Sequence, residues 1–157
     1  MPDHPASRGA LPTGKTPGST REQLLLVTKL AIPPVRSGLV ARPRLAHQLQ
    51  LGIQRSLTLI AAPAGFGKTT LLSSWLENAV LPAAWVSLES GDDDLIRFWS
   101  YVFTALERIH PDSGKPAFAL LEASQSQQLP PIETILTVWI NAFVTLPHEV
   151  ALVLDDY

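Results

Sequence analysis

Residues 57–75, LTLIAAPAGFGKTTLLSSW, set an apolar run against an amphipathic one, with Gly65, Gly67 and Lys68 at the junction. A strand that passes through a glycine loop straight into a helix turns several backbone N–H groups and the positive end of the helix dipole into one concavity, which suits a chain of phosphates. Residues 62–69, APAGFGKT, follow the phosphate-loop pattern G-x-x-x-x-G-K-[ST], with the small Ala62 at the first glycine position. In that pattern Gly65, Phe66 and Gly67 form the part of the loop whose backbone approaches the phosphates. Lys68 reaches the β and γ phosphates as a point charge, Thr69 offers its hydroxyl to Mg²⁺, and Thr70 donates to the α phosphate. The bland alternative is a glycine-rich turn with an exposed lysine.

Composition narrows what such a loop could serve. The chain has 157 residues, with 12 Lys plus Arg against 14 Asp plus Glu and a net charge of −2, so no basic block marks a nucleic-acid surface. It has no cysteine, which excludes disulfides, thiolate metal sites and a Cys nucleophile. The opening residues lack the apolar core of a signal peptide, and the longest apolar runs fall well short of the ~18 residues of a membrane span, so the expectation is a soluble, cytoplasmic protein. Residues 1–22 are rich in Pro, Gly and Ser and read as a disordered tail, and residues 23–157 as one domain.

Along that domain, hydrophobic spacing predicts alternating strands and helices. Residues 24–42 read as an extended lead-in interrupted by Pro33 and Pro34, and residues 44–54 as a helix with Leu45, Leu49 and Ile53 on one face. Residues 56–62 are a short continuous apolar run, the pattern of a strand buried on both faces, followed by a helix over 69–78 and a second strand over 84–88. Asp92, Asp93 and Asp94 stand where a helix cap and first turn belong, ahead of a face made by Leu95, Phe98, Val102, Leu106 and Ile109. Residues 111–130 read as an exposed connection. A helix over 131–146 with Ile135, Trp139 and Phe143 follows, then a buried strand over 150–157 that ends in Asp155 and Asp156. The four tryptophans fall at apolar positions and read as core. His47, His110 and His148 lack metal-binding spacing. The alternation predicts an α/β fold with a parallel sheet flanked by helices.

The acid pair is the second constellation. A carboxylate at the carboxyl end of a buried parallel strand lies where ligands of open α/β sheets sit, so Asp155 can hold Mg²⁺ through water and Asp156 can polarise an attacking water. Two acids that merely end a strand in solvent remain the alternative.

The stretches LLVTKLAIPPVRSGLVARPRL, APAGFGKTTLLSSW, AAWVSLESGDDDLIRFWSYVFTAL and LVLDDY together resemble the N-terminal ATPase segment of large LuxR-type transcriptional regulators related to the maltose-regulon activator, within the signal-transduction ATPases with numerous domains. The resemblance covers residues 24–157. It implies a P-loop NTPase fold, ATP and Mg²⁺ as cofactors, Asp155 and Asp156 as the Walker B pair, and an adenine pocket partly made by the lead-in, with Leu39, Val40 and Arg42 as its residues here. Arg42 as a solvated surface charge is the competing reading. The resemblance further implies the sheet order 5-1-4-3-2, of which this sequence supplies strands one to three. The run at 56–62 would then lack both neighbours, giving an incomplete core that binds ATP weakly and turns it over negligibly, as in a truncated product. Effector-binding repeats, a DNA-binding helix-turn-helix and self-association belong to the full-length relatives, and no direct DNA contact is expected from this segment. Three functions follow as expectations: an ATP-hydrolysing switch module of a regulator, a small P-loop phosphotransferase, or a nonenzymatic remnant acting through protein contacts.

Overall fold

Two short strands carry the sheet, β1 (Ala83–Ser87) and β2 (Ala151–Asp155), and they pair in parallel with Ala83 opposite Ala151 and Ser87 opposite Asp155. The structure is a computed structural model that describes residues 25–123, 130–145 and 148–156. The predicted tail lies outside these residues. Both strands are short apolar runs, and the parallel pairing requires the long crossover that the chain supplies between them. The ladder is continued at its ends by bonds from the Ala151 N–H to the Pro82 carbonyl and from the Leu88 N–H to the Asp155 carbonyl, each 2.9 Å.

Five α-helices are described: α1 (Pro43–Gly52), α2 (Lys68–Leu76), α3 (Leu95–Glu107), α4 (Lys115–Ala123) and α5 (Ile132–Val144). Helix α3 starts where its acids predict, with the Asp94 carboxylate accepting the Arg97 N–H at 2.8 Å as an N-cap. Its central residues, Tyr101 to Leu106, are all buried rather than lying on one stripe. The lead-in and α4 also pack on α3, beyond the side that meets β1, so its second face is covered as well. The core joins Val86 of β1 to Tyr101, Val102, Phe103 and Leu106 of α3, Phe118 of α4 and Ile135 of α5. Trp99, Phe103, Trp139 and Phe143 form a chain of ring contacts with centroids 4.7 to 5.6 Å apart along its main steps. Trp85 is 1% exposed, so the reading of the tryptophans as packing residues holds for the most buried of them.

Two expectations change. The connection expected over 111–130 contains α4. Pro116 is tolerated in its first turn, and Ala117, Phe118 and Leu121 form a buried face at helical spacing. The run at 56–62 forms no strand, and Leu57 and Leu59 are 83% and 81% exposed. Its composition suits a buried strand, but among the described residues no ladder partner lies beside it. The Thr58 hydroxyl anchors its start, donating to the Gly52 carbonyl at 2.9 Å.

Candidate functional site

Residues 62–66 of the loop are exposed and Gly67 is half-buried at the start of α2, and the loop's shape is set by two left-handed glycines, Gly65 with φ 81° and Gly67 with φ 78°. A side chain at either position would strain the backbone, which is why both residues are glycine. Gly67 is the N-cap of α2, and its carbonyl accepts the Leu71 N–H at 2.9 Å, so the helix begins directly from the loop. Lys68 folds back over the loop, its Nζ donating to the Ala62 carbonyl at 3.0 Å and lying 3.5 Å from that of Pro63. The Phe66 ring is exposed, and the Phe66 carbonyl accepts a bond from Arg42 Nη1 at 3.0 Å. Arg42 therefore stands against the loop although it lies 24 residues away in sequence.

On the other side of the site, β2 brings Asp155 to the first turn of α2. The Thr69 hydroxyl lies 2.9 Å from both Asp155 carboxylate oxygens, a sharing of one proton between two acceptors. Asp155 is 6% exposed. Burial pushes its carboxyl above the usual range, and the neighbouring Asp156 pushes the same way, while the Thr69 hydroxyl, the Asp156 N–H and the Lys68 charge partly oppose them. Asp156 is exposed and left-handed with φ 63°, a conformation that Asp tolerates better than most side chains.

No family model matches the chain. It is 31% identical over 134 residues to the HTH-type transcriptional regulator MalT of Cronobacter sakazakii, covering 85% of this chain and 14% of that protein. A MalT of Vibrio campbellii is also 31% identical, over 130 residues. The serine/threonine-protein kinase PknK of Mycobacterium tuberculosis is 30% identical over 158 residues, covering 98% of this chain and 13% of the kinase. The chain is homologous to a segment of the MalT-type regulators.

In this MalT-related segment the structure gathers most of the residues singled out in sequence. Ala62, Gly65, Phe66, Gly67, Lys68 and Thr69 lie within one stretch of eight residues, and Arg42 and Asp155 join them through space. Thr70 is exposed on α2, and Asp156 follows Asp155 at the end of β2. Val40 is 85% exposed on the lead-in, two residues before Arg42. Sequence reasoning missed Lys29, a lysine inside an apolar run that is 4% exposed and bonded to Asp92 at 2.6 Å. Its only signal was a charge set within an apolar stretch of sequence, with no indication of its partner. Among the described residues no helix is long and apolar enough to cross a membrane.

Proposed function

We propose that this segment is a nucleotide-binding switch module that binds ATP with Mg²⁺ and belongs to a signal-responsive transcriptional regulator. The observation that carries the reading is the Thr69–Asp155 contact, because it joins the end of the phosphate loop to the carboxyl end of a parallel strand 86 residues further on. A glycine turn with an exposed lysine gives no reason for a buried carboxylate to meet the next hydroxyl. The unpaired run at 56–62 agrees with a partial P-loop sheet in which that strand's neighbours are not among the described residues. The relatives support a shared module: one is named for transcriptional regulation and another for protein phosphorylation, so what they have in common with this chain is better sought in nucleotide handling than in either named activity.

The residues fit a magnesium ion of the kind that arrives with its nucleotide. Thr69 and Asp155 are hard oxygen donors, and among the described residues no cluster of three His, Cys, Asp or Glu could hold a metal unaided. When bound, Mg²⁺ would neutralise charge on the β and γ phosphates. The chain's own residues supply the rest. Lys68 exchanges its loop carbonyls for phosphate oxygens, the loop N–H groups hold the phosphates, and Asp155 gives up the Thr69 hydroxyl. Asp156 orients the attacking water. A phosphotransferase finds less support: such an enzyme usually closes a basic lid over its phosphates, and Lys115, the lysine of the 111–130 stretch, is paired with Asp112 just ahead of α4.

Titration of the whole chain with a fluorescent ATP analogue tests the reading. Saturating MgATP, at ~100 times its dissociation constant, should stabilise the fold by about 2.7 kcal/mol, and Lys68→Ala should remove most of that gain. Asp156→Asn should retain MgATP while phosphate release stops. Equal binding by Lys68→Ala and the parent sinks the assignment of the loop.

A further inference from the structure

The lead-in, residues 25–42, has little regular structure apart from a 3₁₀ turn at Val27–Leu30, yet it is fastened at both ends. At one end the Lys29 ammonium is buried, 2.6 Å from Asp92 Oδ2, 3.2 Å from Glu89 Oε2 and 5.2 Å from the centre of the Tyr101 ring. Asp92 is held in turn by the Glu89 N–H at 2.9 Å, and Arg97 Nε lies 3.3 Å from its other oxygen. Two further bonds secure the same end: the Leu26 N–H reaches the Tyr101 hydroxyl at 3.3 Å, and Arg108 Nη1 reaches the Leu30 carbonyl at 3.1 Å. Burial opposes both charges, but the Lys29–Asp92 hydrogen bond and mutual attraction outweigh it, holding Lys29 above and Asp92 below their ordinary pKa values. At the far end of the same segment Arg42 is bonded to the phosphate loop.

A buried ion pair adds little net stability compared with an apolar pair of the same shape, so its use lies in fixing one geometry. Here the geometry fixed is that of a segment with few other constraints. We propose that Lys29, seated on Asp92, is a positioning residue that locks the lead-in to the start of α3 and so holds Arg42 against the phosphate loop. Nucleotide affinity then depends on an ion pair that does not touch the nucleotide. The inference rests on the ATP-binding reading for its consequence, though not for its mechanics.

Two measurements on the whole chain test it. In the first, without nucleotide, amide exchange is followed in Asp92→Asn and Lys29→Met. The amides of Lys29 and Ala31, which close the 3₁₀ turn, should exchange about 10-fold faster or more, while those of Ala84 and Val86 in the ladder hold their protection. No change in the turn, or an equal rise in β1, overturns the latch, because the pair would then be inert or merely part of global stability. In the second, MgATP affinity is measured for Asp92→Asn, Arg42→Ala and the double variant. Each single change should weaken binding by about 10-fold, and the double variant should be no weaker than Arg42→Ala alone. Additive losses overturn action through Arg42. A parent that binds no MgATP rejects the nucleotide reading instead, and the exchange experiment still decides the latch.

Discussion

Residues 57–60, Leu-Thr-Leu-Ile, and residues 151–154, Ala-Leu-Val-Leu, are similar apolar runs with opposite fates. The second pairs along its length with β1 and packs Leu154 against the core, although Leu152 stays 38% exposed and the strand is half-buried rather than buried, whereas the first lies extended with Leu57 and Leu59 open to solvent. Their propensities barely differ. What separates them is a neighbour: β2 finds β1 on one side and sets Leu154 against the core cluster, and the run at 57–60 finds, among the described residues, one hydroxyl bond to α1. A strand is stabilised by cross-strand bonds and pairs rather than by its own residues, so apolar content alone does not make one.

The comparison is broken most directly by amide exchange. The amides of Ala84, Val86 and Val153, which the register turns into the ladder, should open only with the whole domain, at a cost of order 5 kcal/mol or more, while those of residues 57–60 should exchange at nearly unprotected rates. Cooperative protection of 57–60 would mean that the run finds a partner after all.

Side-chain truncation gives the next largest contrast. Trp85→Ala should cost ~3 to 5 kcal/mol in denaturant unfolding, because the ring is buried and leaves a cavity, and Leu59→Ser should change stability by no more than ~0.5 kcal/mol. Comparable losses from both would show that exposure does not separate the paired sheet from the run at 57–60.

The smallest effect sharpens the comparison where the two regions meet, at Asp155 against Thr69. The Asp155 carboxyl is raised above its ordinary 3.8, so its contribution to stability is complete below the unfolded value and is lost as pH rises through the folded one. At neutral pH the charged form is therefore a burden on the nucleotide-free chain. Asp155→Asn should raise the melting temperature by on the order of a few degrees at pH 7, with the gain vanishing near pH 3, and should abolish Mg²⁺-dependent stabilisation by ATP. A variant that melts lower at pH 7 than at pH 3, relative to the parent, would reverse the sign assigned to burial.

Much of this was legible in the sequence because it is local. The glycines of the loop, the start of α2 behind Gly67, the Asp94 cap of α3 and the apolar spacing of α5 each depend on residues within a turn or two of one another. The spacing of Ala117, Phe118 and Leu121 was equally local, and α4 was missed because Pro and Ser around it read as loop. The tertiary structure alone decided the rest. Lys29 and Asp92 lie 63 residues apart, Thr69 and Asp155 86 apart, and no local pattern states which distant charge or hydroxyl a side chain will meet. Whether an apolar run becomes a strand is the same kind of fact. The sequence determined that residues 56–62 could enter a sheet, and only the packing of the chain decided that they do not, since the hydrogen bonds of a strand belong to its neighbours.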